Sequence, residues 1–334
     1  MGRKMAVQIP DTLISALLQG EKFLIFTHVR PDGDAIGSAF GMCSFLRGLG
    51  KTADVVLPVD PPARYLKLGL QFLREASPEN YDTFVALDCA SFERIADAGI
   101  LSRLTDKSRF FNLDHHFTNN VTCAGFAFVD AKASSACEIA ASLAFASGRN
   151  VSCQTAEFFL TGMMTDTGGF KFSNTNGEVL RMAAKLLDAG ANLEKLVNIL
   201  FFSKPEKQLR FESELVSRQI KIACSGKFAY AFIPQELLDK YNFSLKEDEG
   251  IIDILREIDG VVIAMLVHHQ PEGFKISLRS KEPRCPVAPI ASAFGGGGHL
   301  MAAGATADLP DFESLEKIML EKVSAALAVL EENI

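Results

Sequence analysis

One imidazole and two carboxylates fall within seven residues at His28, Asp32 and Asp34, inside FLIFTHVRPDGDAIGS, with Pro31 and Gly33 bending the chain between them. That combination is half of a metal site. A loop whose acids merely cap the next helix explains one aspartate, but not two with a histidine. The same chemistry recurs at three later places: Asp88 follows the apolar run in VALDCAS, Asp114, His115 and His116 lie in NLDHHFTN, and Asp166 lies in MMTDTGGF. If four such carboxylates converge within about 4 Å, each like-charge pair costs on the order of 4 kcal/mol at an effective dielectric near 20. The cluster stands only with cations inside it. Oxygen-rich donors with a minority of imidazole suit Mn²⁺ or Mg²⁺ better than structural zinc, which wants thiolates. Two such ions roughly 3.5 to 4 Å apart lower the pKa of water and clamp the attacking and leaving oxygens of a phosphate ester.

These residues need elements that bring them to one rim. Residues 23–27 read as a short buried parallel strand and 34–49 as the helix that follows, which puts His28, Asp32 and Asp34 at the carboxyl end of a strand, where open α/β sheets place ligands. Strands over 53–57, 83–87 and 109–113 follow, the last two running into Asp88 and Asp114. Helices over 10–18, 135–146, 155–164, 178–189 and 205–223 complete the pattern of an α/β, doubly wound, mainly parallel sheet over 1–190, with 191–217 as a helical linker. The pattern restarts over 218–334 as a second, smaller α/β domain. It has strands at 228–233, 261–267 and 274–279, a hairpin turn at 271–273, a helix near 250–257 and a last helix over 312–330 with a core-facing apolar stripe.

The chain of 334 residues is 48% hydrophobic, enough for two domains with real cores, and carries a net charge of −7. That balance argues against tracking along long nucleic acid by neutralising many phosphates, but not against a short anionic substrate. The first twenty residues hold no apolar run long enough for a signal peptide or a membrane span, so the expected location is cytoplasmic, with no membrane partner. Seven cysteines without a CxxC pair read as reduced, mostly buried thiols.

The ordered set THVRPDGDAIGS, VALDCAS, NLDHHFTN and TDTGGFKFSNT, followed by GGGGHLMAAG, closely resembles the DHH phosphoesterases with a DHH-associated C-terminal domain. Within them the chain is similar to the bacterial nanoRNase/pAp phosphatase group. The resemblance implies one divalent ion on His28, Asp32, Asp88 and Asp166 and another on Asp34, Asp88, His115 and Asp166, with Mn²⁺ favoured and Mg²⁺ or Co²⁺ as substitutes. His116 would contact the scissile phosphate and Asp114 would orient the histidines. Arg279 of ISLRSK, Gly297 and Gly298 of the 295–298 glycine run, and His299, expected to open a short helix, would grip the nucleotide. Lys275, Lys281, Arg284, Lys171 and Arg94 are further candidate phosphate contacts. The implied activity is hydrolysis of very short oligoribonucleotides to nucleoside 5'-monophosphates and removal of the 3'-phosphate of pAp. A homodimer fits the family. The competing readings are a cyclic or linear dinucleotide phosphodiesterase, a manganese pyrophosphatase, a single-strand DNA exonuclease and a non-catalytic nucleotide sensor.

Overall fold

A computed structural model describes residues 7–95, 98–102, 107–121, 124–245 and 250–330. The chain divides into two compact units between Ser203 and Lys204. In the first, α1 (Asp11–Leu18), β1 (Lys22–Phe26), α2 (Gly33–Gly48), β2 (Thr52–Val55), α3 (Ala63–Leu66), β3 (Thr83–Leu87), α4 (Ala98–Ser102), β4 (Phe110–Asp114) and β5 (Phe126–Val129) lead into the helices α5 (Ala136–Ala146), α6 (Cys153–Asp166), α7 (Gly177–Asp188) and α8 (Leu193–Leu200). The strands order β2-β1-β3-β4-β5, all parallel. Strand β5 was not legible in the sequence: it is a four-residue strand at the sheet edge with only partial burial on one side.

Successive residues of the strands face opposite layers. Phe23, Ile25, Val85, Leu87, Phe111 and Leu113 pack under the helices, while Leu24, Phe26, Phe84, Ala86 and Phe110 pack under a thinner layer that includes Ile95, Ile100 and Val121. Both faces are apolar, so the strands read as continuous hydrophobic runs. The winding direction changes between β1 and β3, and in a doubly wound sheet of this order the crevice beyond that switch point is where ligands bind.

Helices α2 and α6 approach closely because Gly33, Gly37 and Gly41, spaced by four, place bare backbone toward α6. A Cβ at Gly37 would lie 2.5 Å from the Phe158 carbonyl oxygen, and one at Gly162 of α6 would lie 2.7 Å from Asp34 Oδ1. The close approach sets the distance between the start of α2 and the end of α6.

The second unit holds α9 (Glu206–Arg218), β6 (Ile220–Ala223), β7 (Phe228–Ile233), α10 (Gln235–Lys240), α11 (Ile251–Arg256), β8 (Ile263–Gln270), β9 (Gly273–Ser280), α12 (Ala288–Ser292), β10 (Gly297–His299), β11 (Ala302–Ala307) and α13 (Phe312–Ala328). Its mixed sheet runs β10-β11-β9-β8-β7-β6, with only β7 and β8 parallel. One face packs on Leu315, Met319, Val323 and Leu327 of α13, the other on Phe211 and Leu215 of α9 and Ile251, Ile252 and Leu255 of α11.

Two expectations are corrected. The helix read over 205–223 stops at Arg218, and Ile220–Ala223 becomes an edge strand joined to β7 through Cys224 and Ser225 at φ 50° and 53°, the positive dihedrals of a tight hairpin. Within residues 191–217, α8 buries Leu196 and Leu200 in the first core and α9 buries Phe211 and Leu215 in the second. His299 does not open a helix; it ends the strand β10. The described cysteines Cys43, Cys89, Cys137, Cys153, Cys224 and Cys285 are all free, and Cys123 lies outside the described residues. No helix among the described residues is long and apolar enough to cross a membrane.

Candidate active site

His28 emerges from the end of β1 with its ring buried. Its Nε2 lies 3.5 Å from Asp88 Oδ2 and 3.8 Å from Asp32 Oδ1. Asp32 also caps α2, accepting hydrogen bonds from the backbone N–H groups of Asp34 and Ala35, each at 3.0 Å. Capping therefore accounts for Asp32 and leaves Asp34 and His28 unexplained. Asp34 is held from another helix: the N–H groups of Ala136 and Cys137, at the start of α5, donate to Asp34 Oδ2 and Oδ1 at 2.6 and 2.9 Å.

Asp88 follows β3 with φ 58°, a left-handed conformation that costs an ordinary residue roughly 1–2 kcal/mol and marks a constrained, often functional position. Its carboxylate lies among three histidines, with His115 Nε2 at 3.6 Å and His116 Nδ1 at 3.4 Å from Oδ1. His115 Nε2 is also 3.7 Å from Asp34 Oδ2 and 3.5 Å from Asp166 Oδ2 at the end of α6. The six residues His28, Asp32, Asp34, Asp88, His115 and Asp166 thus form one pocket, although they come from four separate segments.

Asp114 sits differently. Its Oδ1 accepts from the His115 backbone N–H at 2.9 Å and faces His116 Nδ1 at 2.8 Å, while Oδ2 accepts from Asn119 Nδ2 at 2.6 Å. A carboxylate only accepts, so His116 carries a proton on Nδ1. Asn119 also reaches the Cys89 carbonyl oxygen at 3.0 Å and Asn112 Oδ1 at 2.9 Å, tying the loop after β4 to the end of β3. Nothing but its place in NLDHHFTN marks Asn119 in the sequence.

The electrostatics are those of a site short of positive charge. Burial opposes the charged form of His28, but Asp32 and Asp88 outweigh it and push its pKa up to about 10. Burial also opposes the charged form of His115, and Asp88, Asp166 and Asp34 still hold it well above the ordinary imidazole range. Burial and the Asp88 charge raise Asp34 to about 7, against the pull of His115. Asp166 is raised further, by burial and by Asp34, Asp32 and Asp88, again against His115. Asp88 goes the other way: burial would raise it, but His115 and His28 hold it well below the carboxylate range. Protons gather where positive charge is needed, and divalent cations would replace them.

One atom tests whether cations fit. Asp88 Oδ1 is buried and has no hydrogen-bond partner within the described protein. A buried oxygen left in that state costs about 1–3 kcal/mol unless something else binds it. The ligand atoms of His28, Asp32 and Asp88 lie within 4.8 Å of one another, as do those of Asp34, Asp88 and His115, so Asp88 is common to two candidate cation sites. The donor set fits hard divalent ions.

In the second unit, Arg279 of β9 is in register with Ala302 of β11, which is in register with His299 of β10. Residues so paired share one face of the sheet, so Arg279 and His299 stand in one row, roughly two strand spacings or about 10 Å apart. Lys275 lies on the same face of β9 and is only half-buried. The glycines divide in role. A Cβ at Gly298 would lie 2.5 Å from the Ala302 carbonyl oxygen and one at Gly296 would overlap the Gly304 carbonyl oxygen, whereas Gly297 faces open space. The first two are needed for packing against β11, whereas a Cβ at Gly295 or Gly297 would meet nothing within 4 Å. Of the other cationic candidates, Arg284 pairs with Glu282 at 3.0 Å and Lys281 donates to the Ile258 carbonyl oxygen at 3.2 Å. Lys171 and Arg94 are exposed in the first unit.

Comparison with known proteins agrees with this geometry. Residues 22–163 match the N-terminal domain of the DHH family and residues 225–333 match the DHHA1 domain. The chain is 33% identical over 308 residues to the bifunctional oligoribonuclease and PAP phosphatase NrnA of Thermus thermophilus, covering 91% of this chain and 89% of that one. It is 27% identical to the protein of the same name from Bacillus subtilis over 88% of this chain and 92% of that one. A solved exopolyphosphatase-related protein from Bacteroides fragilis, 26% identical, superposes with a TM-score of 0.85 over 96% of each chain. With its histidines and aspartates gathered at the switch point of a DHH domain that a DHHA1 domain follows in the sequence, the chain belongs to the DHH family.

Proposed function

We propose that this protein is a metal-dependent phosphoesterase that hydrolyses very short oligoribonucleotides to nucleoside 5'-monophosphates and removes the 3'-phosphate of pAp. The observation that carries the reading is Asp88, a buried carboxylate shared between the His28–Asp32 group and the Asp34–His115 group. Two divalent ions, Mn²⁺ by the character of the donors, would be held by His28, Asp32, Asp88 and Asp166 and by Asp34, Asp88, His115 and Asp166. When bound, they supply Lewis acidity toward the phosphate and make water a nucleophile near neutral pH.

The residues do the rest. Asp114 fixes the tautomer of His116 and presents its Nε2, which contacts a phosphate oxygen and, when protonated, can pass a proton to the leaving hydroxyl. Asn119 keeps Asp114 in that orientation. Arg279, His299 and the open backbone at Gly297 are proposed to bind a substrate phosphate or terminal base, with Gly298 shaping that hairpin. Relatives named as bifunctional oligoribonuclease and PAP phosphatase support this choice of substrates. The protein is further proposed to work in the cytoplasm as a homodimer, the latter checked by light scattering.

Purified protein with Mn²⁺, assayed on pAp, diadenylate, a labelled pentaribonucleotide and pyrophosphate, tests the reading. Release of nucleoside 5'-monophosphates from the pentamer and of inorganic phosphate from pAp is the expected result. Pyrophosphate as the best substrate by a wide margin would overturn it.

A further inference from the structure

The motif TDTGGFKFSNT contains a residue that the chemistry above does not use. Asn174 is half-buried, and its Nδ2 donates two hydrogen bonds, each of 3.1 Å, to the Ser134 carbonyl oxygen and to the Asp166 carbonyl oxygen. The second acceptor is at the end of α6, where a carbonyl has no partner within its own helix. The first precedes α5. Two carbonyl acceptors also fix which end of the amide is nitrogen, since only an NH₂ group can donate to both.

The contacts beyond these two acceptors close a ring. The Ser134 backbone N–H donates to Glu138 Oε2 at 2.6 Å, and Ser135 Oγ accepts from the Glu138 N–H at 3.0 Å, so the turn that opens α5 is pinned from within. That turn sends the Ala136 and Cys137 N–H groups onto both oxygens of Asp34, at 2.6 and 2.9 Å. Asp34 Oδ2 lies 3.7 Å from His115 Nε2, and His115 Nε2 lies 3.5 Å from Asp166 Oδ2. Asp166 returns through its own carbonyl to Asn174. One side-chain amide therefore bridges the segment that carries Asp166 and the turn whose N–H groups hold Asp34.

We infer that Asn174 is a positioning residue that sets the separation of the Asp34 and Asp166 carboxylates, and thereby the affinity of the site for its second divalent ion. The inference rests on the two-ion reading given above. The Asn174 Nδ2 contacts are to backbone carbonyl oxygens and not to the side chains of the proposed ligands. Its effect passes through backbone: the α6 terminus on one side and the α5 turn on the other. Partners of this kind, one layer out from the ligands, typically govern affinity or activity by roughly 10–100-fold.

The experiment is manganese titration of the full chain, followed by calorimetry and electron paramagnetic resonance, for wild type, Asn174→Ala, Asn174→Asp, Asn174→Ser and Asn176→Ala. Asn174→Asp keeps the shape but can donate to neither carbonyl; Asn174→Ser keeps one donor. Asn176 caps α7 through its Oδ1, which accepts from the Glu178 and Val179 N–H groups at 2.9 and 3.3 Å, and its Nδ2 donates to the Asn174 backbone carbonyl oxygen at 3.4 Å, so its variant loosens the same loop while keeping the Asn174 side-chain bridge. The expected result is two ions with an exchange-coupled signal in wild type. Asn174→Ala and Asn174→Asp should bind the second ion at least roughly 10-fold more weakly and show an uncoupled signal, with KM for pAp within about twofold of wild type. Asn174→Ser should fall between, and Asn176→Ala should lower Tm with manganese binding unchanged. Wild-type binding and coupling in Asn174→Ala and Asn174→Asp would overturn the inference, as would loss of the folded state in all three Asn174 variants. A single uncoupled ion in wild type would instead sink the two-ion reading on which it rests.

Discussion

Asp88 concentrates the chemistry of the site in one side chain: its backbone is in a left-handed conformation, its carboxylate is buried, and three histidines lie within 3.6 Å of it. Removing that carboxylate leaves His28 and His115 facing an uncompensated gap and takes a ligand from both proposed ions. Asp88→Ala should therefore reduce kcat on pAp by at least about 1000-fold, equivalent to roughly 4 kcal/mol of barrier. His299→Ala, in a different unit and on the row shared with Arg279, should instead raise KM several-fold and leave kcat largely intact. Steady-state kinetics on both variants separate the roles, and near-normal turnover by Asp88→Ala would refute the shared-ligand arrangement.

Helices α2 and α6 act as a pair whose spacing is set by what is missing from them. Gly33, Gly37 and Gly41 face α6, and Gly162 faces Asp34 Oδ1 and Cys137 Sγ. A methyl group at Gly162 meets the carboxylate oxygen at 2.7 Å, so either the helices separate or Asp34 moves. Gly162→Ala is expected to destabilise the fold by about 1–3 kcal/mol, the usual range for overpacking, and to weaken manganese binding as well. Thermal melts and calorimetric titration check the two effects together. Gly48→Ala, at the end of α2 where a Cβ meets nothing within 4 Å, should leave manganese binding unchanged and raise stability by up to about 1 kcal/mol.

Across the first unit, metal binding and stability are linked through protons. Asp34, raised from an ordinary value near 4 to about 7, gives stability that is present at low pH and lost as pH rises toward 7. His28, raised from near 6.5 to about 10, gives stability that is present below 6.5 and lost as pH rises through 10. Asp88 and Asp32 shift downward, so their contribution is already complete above about 4 and constant through this window. Protein stripped with EDTA should therefore show a Tm that falls between pH 6.5 and 9.5, and Mn²⁺ should raise Tm more at pH 9 than at pH 6.5. A metal-free Tm that rises over that range would contradict the charge balance described for the site.

The sequence by itself determined the candidate residues and the strands that carry them. A carboxylate or imidazole directly after an apolar β run declares itself, because strand and loop are contiguous and the chemistry is local; His28, Asp88 and Asp114 were legible for that reason. It also carried the family, whose motifs stand in order along the chain. Tertiary structure alone decided what depends on contacts between distant segments. The α5 turn that holds Asp34 is about a hundred residues away from it, and Asn174 joins two helix ends that no period or propensity connects. It also decided that Gly296 and Gly298 pack closely on a neighbouring strand, and that Ile220–Ala223 pairs with β7 instead of prolonging a helix. Local preference fixes where an element can begin; which partner lies across from it is settled only when the packed core and the buried hydrogen bonds are satisfied together.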